Sequence, residues 1–562
     1  MSKKSVIVFS SVMLTALLIR FWGIWFDLPY LYSTEEYKTV NYALKMGGGD
    51  LNPHFFNYPS LYLYFTLSIS GVYFIFGKLA GFFSNSHAFA LSFIKNPTNI
   101  YLILRFVSVL WSTAIVALMY FLGLKMRSHK TGIFAVLMLS FIPSIIQSSH
   151  LIQPALPSAF LVLVSFYFLI DYLSRDNDKS FYFACIFSGL AITTFYNAIP
   201  MIALIPVAYW IKNKRIKLSV SLLAGVFLIV LFFIIGTPYS ILDYKTFLND
   251  FSGHSVGLHK NPLDGMIPVF LHYLFIGNKG HVSANTGIPI IGLLCFIGVF
   301  NIVFCGNERK KQGNLLILSA LILFTIPVIF YHNSGPGYLF PVFPLFILAG
   351  AQFLDTISNS KYNKLITGVF ILALLPSIIF CLKLDYAYTR KDSRTIAKEW
   401  VESNIPSGSK ILIDMYPNCP PIKETKTQLT RLYNKAVELN HYKKEYLKLQ
   451  LEAYPVSDKI TGYEIFRILR PANEVSGTIE MVKEAEKVQD LIDISNGFSY
   501  LRKSGIKYII ADSADESSGL VSKDKALIYF YTNLPKQGKL IKKFYPENRL
   551  SPGPVISIYK LI

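Results

Sequence analysis

The sequence predicts a polytopic α-helical membrane protein that ends in a C-terminal α/β or α+β domain. The chain has 562 residues, of which 52% are hydrophobic and 16% are charged, and this composition is too apolar for a soluble protein. Apolar runs of membrane-spanning length alternate with short basic loops over residues 1–382. Over residues 383–562, short β-branched runs alternate with helical patterns, which predicts a separate mixed domain.

Charge and cysteine usage narrow the class of protein further. The 54 Lys and Arg against 34 Asp and Glu give a net charge of +20. Because the basic residues are scattered between apolar runs, they indicate cytoplasmic loops and contact with anionic lipid headgroups, and no nucleic-acid partner. The five Cys have no paired spacing, which indicates neither a disulfide framework nor a zinc site.

The N-terminus sets the predicted orientation. Residues 5–26 are long enough to cross a bilayer, and Lys3 and Lys4 favour a cytoplasmic N-terminus. No small-residue cleavage signal follows, so we interpret this run as an uncleaved first span. The loop that follows, residues 27–99, is therefore predicted to lie outside the cytoplasm.

One apolar run does not fit a simple crossing. Residues 125–130 form a basic cluster that is predicted to be cytoplasmic, so the preceding helix 101–124 runs inward. The run 58–83 must then begin and end on the outer side. We expect a juxtamembrane or re-entrant helix that is bent near Gly71.

The remaining apolar runs alternate regularly with basic loops. Together with 5–26 and 101–124 they predict about eleven crossings and an external C-terminus. The further predicted crossings are 132–147, 155–173, 180–197, 199–212, 218–236, 284–305, 314–331, 338–357 and 365–382.

Two external pieces follow from this topology. Residues 237–283 form a long polar loop, and residues 383–562 form the soluble domain. In that domain the sequence predicts helices over 393–404 and 477–495, and strands over 410–414 and 507–512.

The stretch from Tyr32 to Tyr64 holds the most informative residues. Glu35 and Glu36 open a short amphipathic helix beside the membrane surface, and the glycines 47–49 end it. Acidic residues in a first turn complement the helix dipole. An adjacent acid pair at a membrane surface also suits a catalytic base. The residues alone leave both interpretations open.

The acid pair, the glycine turn and the segment D-L-N-P-H-F-F-N-Y-P-S-L from Asp50 to Leu61 together resemble the first external loop of one enzyme family. This family comprises bacterial membrane glycosyltransferases related to the protein O-mannosyltransferases and aminoarabinose transferases, of the family 39 type. The resemblance covers most of residues 1–415 and implies the class C glycosyltransferase fold. Enzymes of this class use polyprenyl-phosphate sugars as donors.

The resemblance implies roles for particular residues. Glu35, where the family usually has Asp, would be the catalytic base, and Glu36 would position it or bind a divalent cation such as Mg or Mn. Arg105, Lys260 and Lys279 would bind the donor phosphate. Snorkelling of Arg105 and simple solvation of the two lysines stay open. Further candidates for substrate contact are His54, Tyr58, His150, Gln153, Tyr239 and Tyr338.

This chain departs from the family pattern at two positions. Ala155 stands where an Asp is usual in the second external motif, and Gly337 stands where an Arg commonly precedes Tyr338. These departures leave open an altered donor choice, an altered metal dependence or a loss of activity.

The predicted function is an inverting glycosyltransferase. It would move a mannose-like sugar, or another hexose or pentose, from a polyprenyl-phosphate donor to a hydroxyl of an envelope protein, lipid or polysaccharide. The predicted location is the outer face of the cytoplasmic membrane. The alternatives are a transporter or a non-catalytic binder of lipid-linked sugars. Transporters tend to have repeated halves and charges near the middle of the membrane, and neither is clear here.

Overall fold

The computed structural model describes most of the chain. The described residues are 3–175, 178–215, 219–253, 289–304, 311–330, 336–414, 417–455, 461–469, 486–513, 524–546 and 552–562.

The chain divides into two compact units. The first comprises Met1–Ile24, Glu35–Val72 and Tyr101–Tyr386, and the second comprises Trp25–Thr34, Tyr73–Ile100 and Ala387–Ile562. The predicted division into domains at residues 382 and 383 stays a prediction.

The described part of the chain is mostly helical. Apolar residues without helix breakers favour long helices. Prolines stand where two of the helices begin: Pro143 is the first residue of one, and Pro154 is the N-cap of the next. The described helices between residues 3 and 388 are α1 (Lys3–Phe21), α2 (Thr34–Met46), α3 (Leu61–Leu79), α4 (Ser86–Lys95), α5 (Thr98–Met126), α6 (His129–Ser140), α7 (Pro143–Ser149), α8 (Ala155–Ser174), α9 (Asp178–Thr194), α10 (Met201–Asn213), α11 (Val220–Gly236), α12 (Tyr239–Leu242), α13 (Tyr244–Gly253), α14 (Pro289–Phe304), α15 (Lys311–Phe330), α16 (Phe343–Ser358) and α17 (Asn363–Tyr388).

Several of these helices suit a membrane. Among the described residues, five helical stretches are long and apolar enough to cross one, and a sixth results if α6 and α7, bent by 67°, form one broken span. Shorter apolar helices lie within α1, α11, α14 and α16. The prediction of a mostly helical protein with several apolar helices is confirmed, whereas the number of about eleven crossings stays a prediction. The five stretches are Leu61–Leu79, Thr98–Met126, Ala155–Ser174, Lys311–Phe330 and Asn363–Asn404.

No helix break occurs near Gly71, where a bend was predicted. Helix α3 runs from Leu61 to Leu79 without interruption, and a Cβ added at Gly71 would meet no atom within 4 Å. A glycine in open surroundings neither forces a bend nor allows a close helix contact, so the apolar residues on either side continue the helix.

The core of the first unit lies between closely packed helices. Helix α8 packs on α9, α9 on α11, and α16 on both α14 and α6. The α14–α16 contact requires glycine, because a Cβ at Gly298 would lie 2.4 Å from the carbonyl carbon of Ala349. Small residues let helix backbones approach in this way within membranes.

The second unit contains a six-stranded sheet. Its strands are β1 (Lys410–Ile413), β2 (Glu464–Ile468), β3 (Leu491–Ile492), β4 (Tyr508–Asp512), β5 (Gly538–Phe544) and β6 (Ile556–Leu561). The order is β3-β2-β1-β4-β6-β5, with the first four strands parallel and the last two antiparallel. The helices of this domain are α18 (Ser393–Asn404), α19 (Lys426–Glu438), α20 (Lys444–Glu452), α21 (Gly497–Lys503) and α22 (Lys525–Gln537).

These elements test the sequence predictions for the soluble domain. The helix over 393–404 is confirmed, and the strands over 410–414 and 507–512 agree with β1 and β4 within a residue. The helix over 477–495 is wrong for residues 487–495. Leu491 and Ile492 form strand β3 because they pair with Arg467 and Ile468 of β2, and such ladder bonds outweigh a weak local helix preference. Residues 477–485 lie outside the described residues.

Candidate functional site

The two acidic residues of α2 lie in different environments. Both are in the first turn of this helix, and successive residues of a helix point in directions about 100° apart. The side chain of Glu35 is 46% exposed, whereas that of Glu36 is fully buried. The structure therefore separates one accessible carboxylate from one that is withdrawn from solvent.

Glu36 forms a buried ion pair with Arg105 of α5. The guanidinium donates from Nε to Oε1 at 2.9 Å and from Nη2 to Oε2 at 2.7 Å, and both side chains are fully buried. Arg105 also donates to the carbonyl oxygen of Ile24, and the N–H of Ile152 donates to Glu36 Oε1 at 3.0 Å. A bidentate pair with these further bonds compensates for the desolvation of both charges.

The Glu36–Arg105 pair affects two predicted roles, cation binding by Glu36 and donor-phosphate binding by Arg105. Both carboxylate oxygens of Glu36 already accept hydrogen bonds, so the geometry does not fit a cation on Glu36. Within the described residues, no group of three or more His, Cys, Asp or Glu side chains could hold a metal ion. The guanidinium of Arg105 is likewise buried against Glu36, so a donor phosphate would have to compete with that carboxylate.

Glu35 has a partner that orients it. The hydroxyl of Tyr58 donates a hydrogen bond to Glu35 Oε2, and Lys38 Nζ lies 3.6 Å from Oε1. The Tyr58 ring is held edge-on by Phe55 and Phe195, at centroid distances of 5.6 and 5.8 Å. An exposed carboxylate with a fixed orientation is suited to accept a proton from a substrate hydroxyl.

The loop after α2 is held in place by hydrogen bonds within the loop and to two aspartates later in the chain. The N–H of Asn52 donates to Asp50 Oδ1, and the Asn52 side chain donates to Asp243 Oδ2 at 2.8 Å. The N–H of Phe56 donates to Asp250 of α13. The hydrogen bond from Asn52 holds the pKa of Asp243 below its usual range. The loop that carries Tyr58 is thus anchored to the segment that contains α12 and α13.

The other predicted substrate contacts fall into distinct places. His54, half exposed, lies 2.9 Å from Asp50 and 3.7 Å from Asp243. Tyr338 contacts Phe195 at a centroid distance of 5.4 Å, and Phe195 also contacts Tyr58. Tyr239 begins α12 and is partly buried. Lys260 and Lys279 lie outside the described residues.

His150 and Gln153 lie on the turn between α7 and α8. Gln153 is partly exposed. His150 is completely buried, and its two ring nitrogens each lie 2.8 Å from a backbone carbonyl oxygen, those of Ile146 and Trp22. A substrate could reach His150 only by displacing one of these contacts.

The two departures from the family pattern lie next to each other. A Cβ added at Gly337 would lie 3.1 Å from the Cβ of Ala155. The side chain of Asn197 donates to the carbonyl oxygen of Gly337, and its Oδ1 lies 3.1 Å from Ser158 Oγ, so α8, the 3-10 turn Tyr196–Ala198 and the 336–339 turn meet here. The family's usual Asp and Arg are therefore both replaced by small residues, Ala155 and Gly337, that are neighbours in space although they are far apart in the sequence.

Sequence reasoning missed several residues that support the site. Asp250, which accepts a hydrogen bond from the N–H of Phe56, anchors the first loop and was not singled out. Asp385 lies in the apolar helix α17, fully buried and close to His150. A charged residue within an apolar helix is a signal that could have found it.

Comparison with known families adds to this geometry. Residues 99–237 match the family described as dolichyl-phosphate-mannose-protein mannosyltransferase. This match confirms the predicted resemblance, and the prediction of a membrane glycosyltransferase with it. The mannosyltransferase-like segment contains Arg105, His150, Gln153 and Ala155, and the acid pair of α2 precedes it. No curated protein matches the sequence significantly.

Solved structures of glycosyltransferases are similar to the chain at low identity. The Archaeoglobus fulgidus oligosaccharyltransferase in the apo form has 11% identity and a TM-score of 0.49, covering 92% of this chain and 70% of that one. ArnT from Cupriavidus metallidurans bound to undecaprenyl phosphate has 13% identity and a TM-score of 0.49, covering 100% and 99%. The arabinofuranosyltransferase AftD from Mycobacteria has 13% identity and a TM-score of 0.45, covering 98% and 39%.

Proposed function

We propose that this protein transfers a sugar from a polyprenyl-phosphate donor to a hydroxyl of a cell-envelope acceptor, with inversion at the anomeric carbon. The carrying observation is Glu35, an accessible carboxylate oriented by the Tyr58 hydroxyl. The match to a family whose name specifies a dolichyl-phosphate-linked mannose supports a polyprenyl-phosphate donor with a mannose-like sugar.

The proposed step is a single displacement. Glu35 removes the proton of the acceptor hydroxyl as its oxygen bonds to the anomeric carbon of the donor sugar. The bond between that carbon and the phosphate oxygen breaks, and polyprenyl phosphate leaves with the electron pair. Attack opposite the leaving group inverts the configuration. Glu35 then returns its proton to water.

The remaining residues have supporting roles in this proposal. The Glu36–Arg105 pair fixes α2, and with it the position of Glu35. Cationic stabilisation of the leaving phosphate is assigned to the loop lysines Lys260 and Lys279, with Arg105 as a further candidate. His54, Tyr239, Tyr338 and Gln153 stay candidates for substrate contact. A divalent cation such as Mg or Mn stays a predicted cofactor, and no step is derived through it.

The proposed setting is the outer face of the cytoplasmic membrane. The first unit would hold the lipid donor among its apolar helices, and the domain from residue 383 onward would lie outside, where it could contact an envelope protein, lipid or polysaccharide. The basic cytoplasmic loops would contact anionic lipid.

The deciding experiment measures release of polyprenyl phosphate by the purified protein from a panel of polyprenyl-phosphate sugars, with and without chelator. We expect turnover by the native protein and its loss in Glu35→Gln, without a change in thermal stability. The matched control is Glu445→Gln, because Glu445 is also an exposed glutamate in a helical first turn. In Tyr58→Phe we expect turnover to fall about tenfold, since the ring stays packed and only the orienting hydrogen bond is lost.

Other outcomes would point elsewhere. Full activity in Glu35→Gln would refute Glu35 as the base. Donor binding without turnover of any donor would favour the transporter or the non-catalytic binder. Movement of the lipid-linked sugar across vesicles that contain the protein would then distinguish these two.

A further inference from the structure

A second cluster of charged residues lies buried in the first unit, and the proposed reaction does not use it. It comprises Arg20 of α1, His150 at the end of α7 and Asp385 of α17, all with 0% exposed surface. Charges that are withdrawn from water in this way are costly unless they are paired. The stability of the cluster therefore depends on which of its residues are charged.

The contacts of His150 restrict its protonation. Nδ1 lies 2.8 Å from the carbonyl oxygen of Ile146, and Nε2 lies 2.8 Å from that of Trp22. Carbonyl oxygens only accept hydrogen bonds, whereas a neutral imidazole has one N–H and one lone pair. Either neutral tautomer would direct a lone pair at an oxygen. Only the doubly protonated ring donates to both.

Asp385 is the counter-charge within reach. Its Oδ1 lies 3.8 Å from His150 Nε2, and neither of its carboxyl oxygens accepts a hydrogen bond from the described residues. The guanidinium of Arg20 is directed at neutral acceptors, since it donates to Ser112 Oγ and to the carbonyl oxygens of Ala16 and Ser140. The charge of Arg20 also favours an ionised Asp385, and among the described side chains the His150 ring is the basic group that lies within 4 Å of this carboxylate.

Burial alone acts against that charge. Desolvation lowers the pKa of His150, and the charges of Arg105 and Arg20 act in the same direction, while the hydrogen bonds to Trp22 and Ile146 raise it. Glu36 compensates Arg105 directly. A neutral imidazole beside a protonated Asp385 holds as many protons as an imidazolium beside a carboxylate. Because Arg20 can also balance an ionised Asp385, the ring beside that carboxylate is either neutral or an imidazolium. The two carbonyl oxygens favour the imidazolium, since only that form donates to both.

We propose that His150 is a buried imidazolium whose counter-ion is Asp385, and that this pair is a positioning device for the α7–α8 turn. Two residues beyond His150, the N–H of Ile152 donates to Glu36, the neighbour of Glu35 on α2. His150 is then a positioning residue and not a substrate ligand. The positioning half of this inference rests on the proposed function, whereas the charge state does not.

The charge state is tested by NMR on the full-length protein labelled with ¹⁵N-histidine, in detergent or nanodiscs. The chain has 10 His, and the signals of His150 are identified by their absence in His150→Gln and, independently, by their change in Asp385→Asn. We expect both ring nitrogens of His150 to be protonated and not to titrate between pH 6 and pH 9. In Asp385→Asn one nitrogen should become non-protonated. A non-protonated nitrogen in the native protein at neutral pH would overturn the assignment.

The positioning role is tested with the transfer assay. We expect Asp385→Asn to lower kcat about tenfold with little change in KM, because the donor contacts stay intact and only the placement of Glu35 suffers. Asp178→Asn, at an exposed first-turn aspartate of α9, is the matched control and should keep native turnover. Native kcat in Asp385→Asn would overturn the positioning role. If the native protein turns over no donor, the proposed function fails while the NMR result stands.

Discussion

At the scale of single residues, the adjacent glutamates of α2 illustrate how one turn of helix separates two functions. Glu36 is enclosed with Arg105, and Glu35 reaches solvent beside Tyr58. The carboxyl groups are chemically the same, so their different roles come from burial and partners. Neutralising the buried one should therefore affect folding first, and neutralising the exposed one should affect only chemistry.

The buried pair allows a double-mutant test of this view. We expect Arg105→Met and Glu36→Met each to destabilise the protein by about 3–5 kcal/mol, because each leaves an unpaired buried charge. The double variant should recover most of this loss, since two apolar side chains of similar length replace the pair. Thermal unfolding in detergent measures the apparent stabilities. If the double variant were as unstable as each single variant, the loss would not come from an unpaired charge of the Glu36–Arg105 pair.

The residue scale also shows what could be predicted from the sequence. The acid pair at the start of a helix could be predicted from the residues, and the cost of charge in an apolar run singled out Arg105. The resemblance assigned Arg105 to the donor phosphate, however, and its pairing with Glu36 emerged only from the structure. The adjacency of Ala155 and Gly337 could not be predicted, because 182 positions separate them and no local pattern links small residues in space. The burial of His150 was hidden for the same reason, since its partner Trp22 comes from a different helix end.

At the scale of elements, helices and strands that local sequence determines were predicted correctly, and those that depend on tertiary contacts were missed. Apolar runs predict helices well, and Ser393–Asn404 was found because its cap and amphipathic pattern are local. The strand at Leu491–Ile492 and the unbroken α3 were missed because pairing with β2 and continuity through Gly71 depend on surroundings that the local sequence does not contain. Two glycines illustrate this dependence on surroundings. Gly71 of α3 lies in open space, whereas Gly298 of α14 allows close contact with α16.

The two glycines make a matched prediction. In Gly298→Ala the new methyl would lie 2.4 Å from backbone atoms of Ala349, so α14 and α16 must separate, at a cost of about 1–3 kcal/mol. In Gly71→Ala the methyl meets no atom within 4 Å, so stability should stay the same or rise by up to about 1 kcal/mol through better helix propensity. Thermal unfolding of both variants in one detergent decides the matter. Similar gains in both would show that helix propensity outweighs packing here, whereas similar losses would contradict the open surroundings of Gly71.

At the scale of the whole molecule, orientation decides whether Glu35 and the soluble domain can meet an envelope acceptor. The positive-inside pattern predicts that Lys361 is cytoplasmic and that Ile562 is external, and both side chains are exposed. The four described cysteines are buried, so single new cysteines can report on access, with Cys305 replaced by Ser as a precaution.

We expect Ile562→Cys to react with a membrane-impermeant maleimide on intact cells, and Lys361→Cys to react only after permeabilisation. The physical reason is that basic loops stay on the cytoplasmic side, and an odd number of crossings then carries the C-terminus outward. The opposite pattern would have one of two causes. Either the whole topology is inverted, which places Glu35 on the cytoplasmic side and out of reach of an envelope acceptor, or one more crossing precedes Lys361, and α3, which is long enough to span, would be the helix to re-examine. Labelling of both sites on intact cells would contradict the single predicted crossing, 365–382, that separates them.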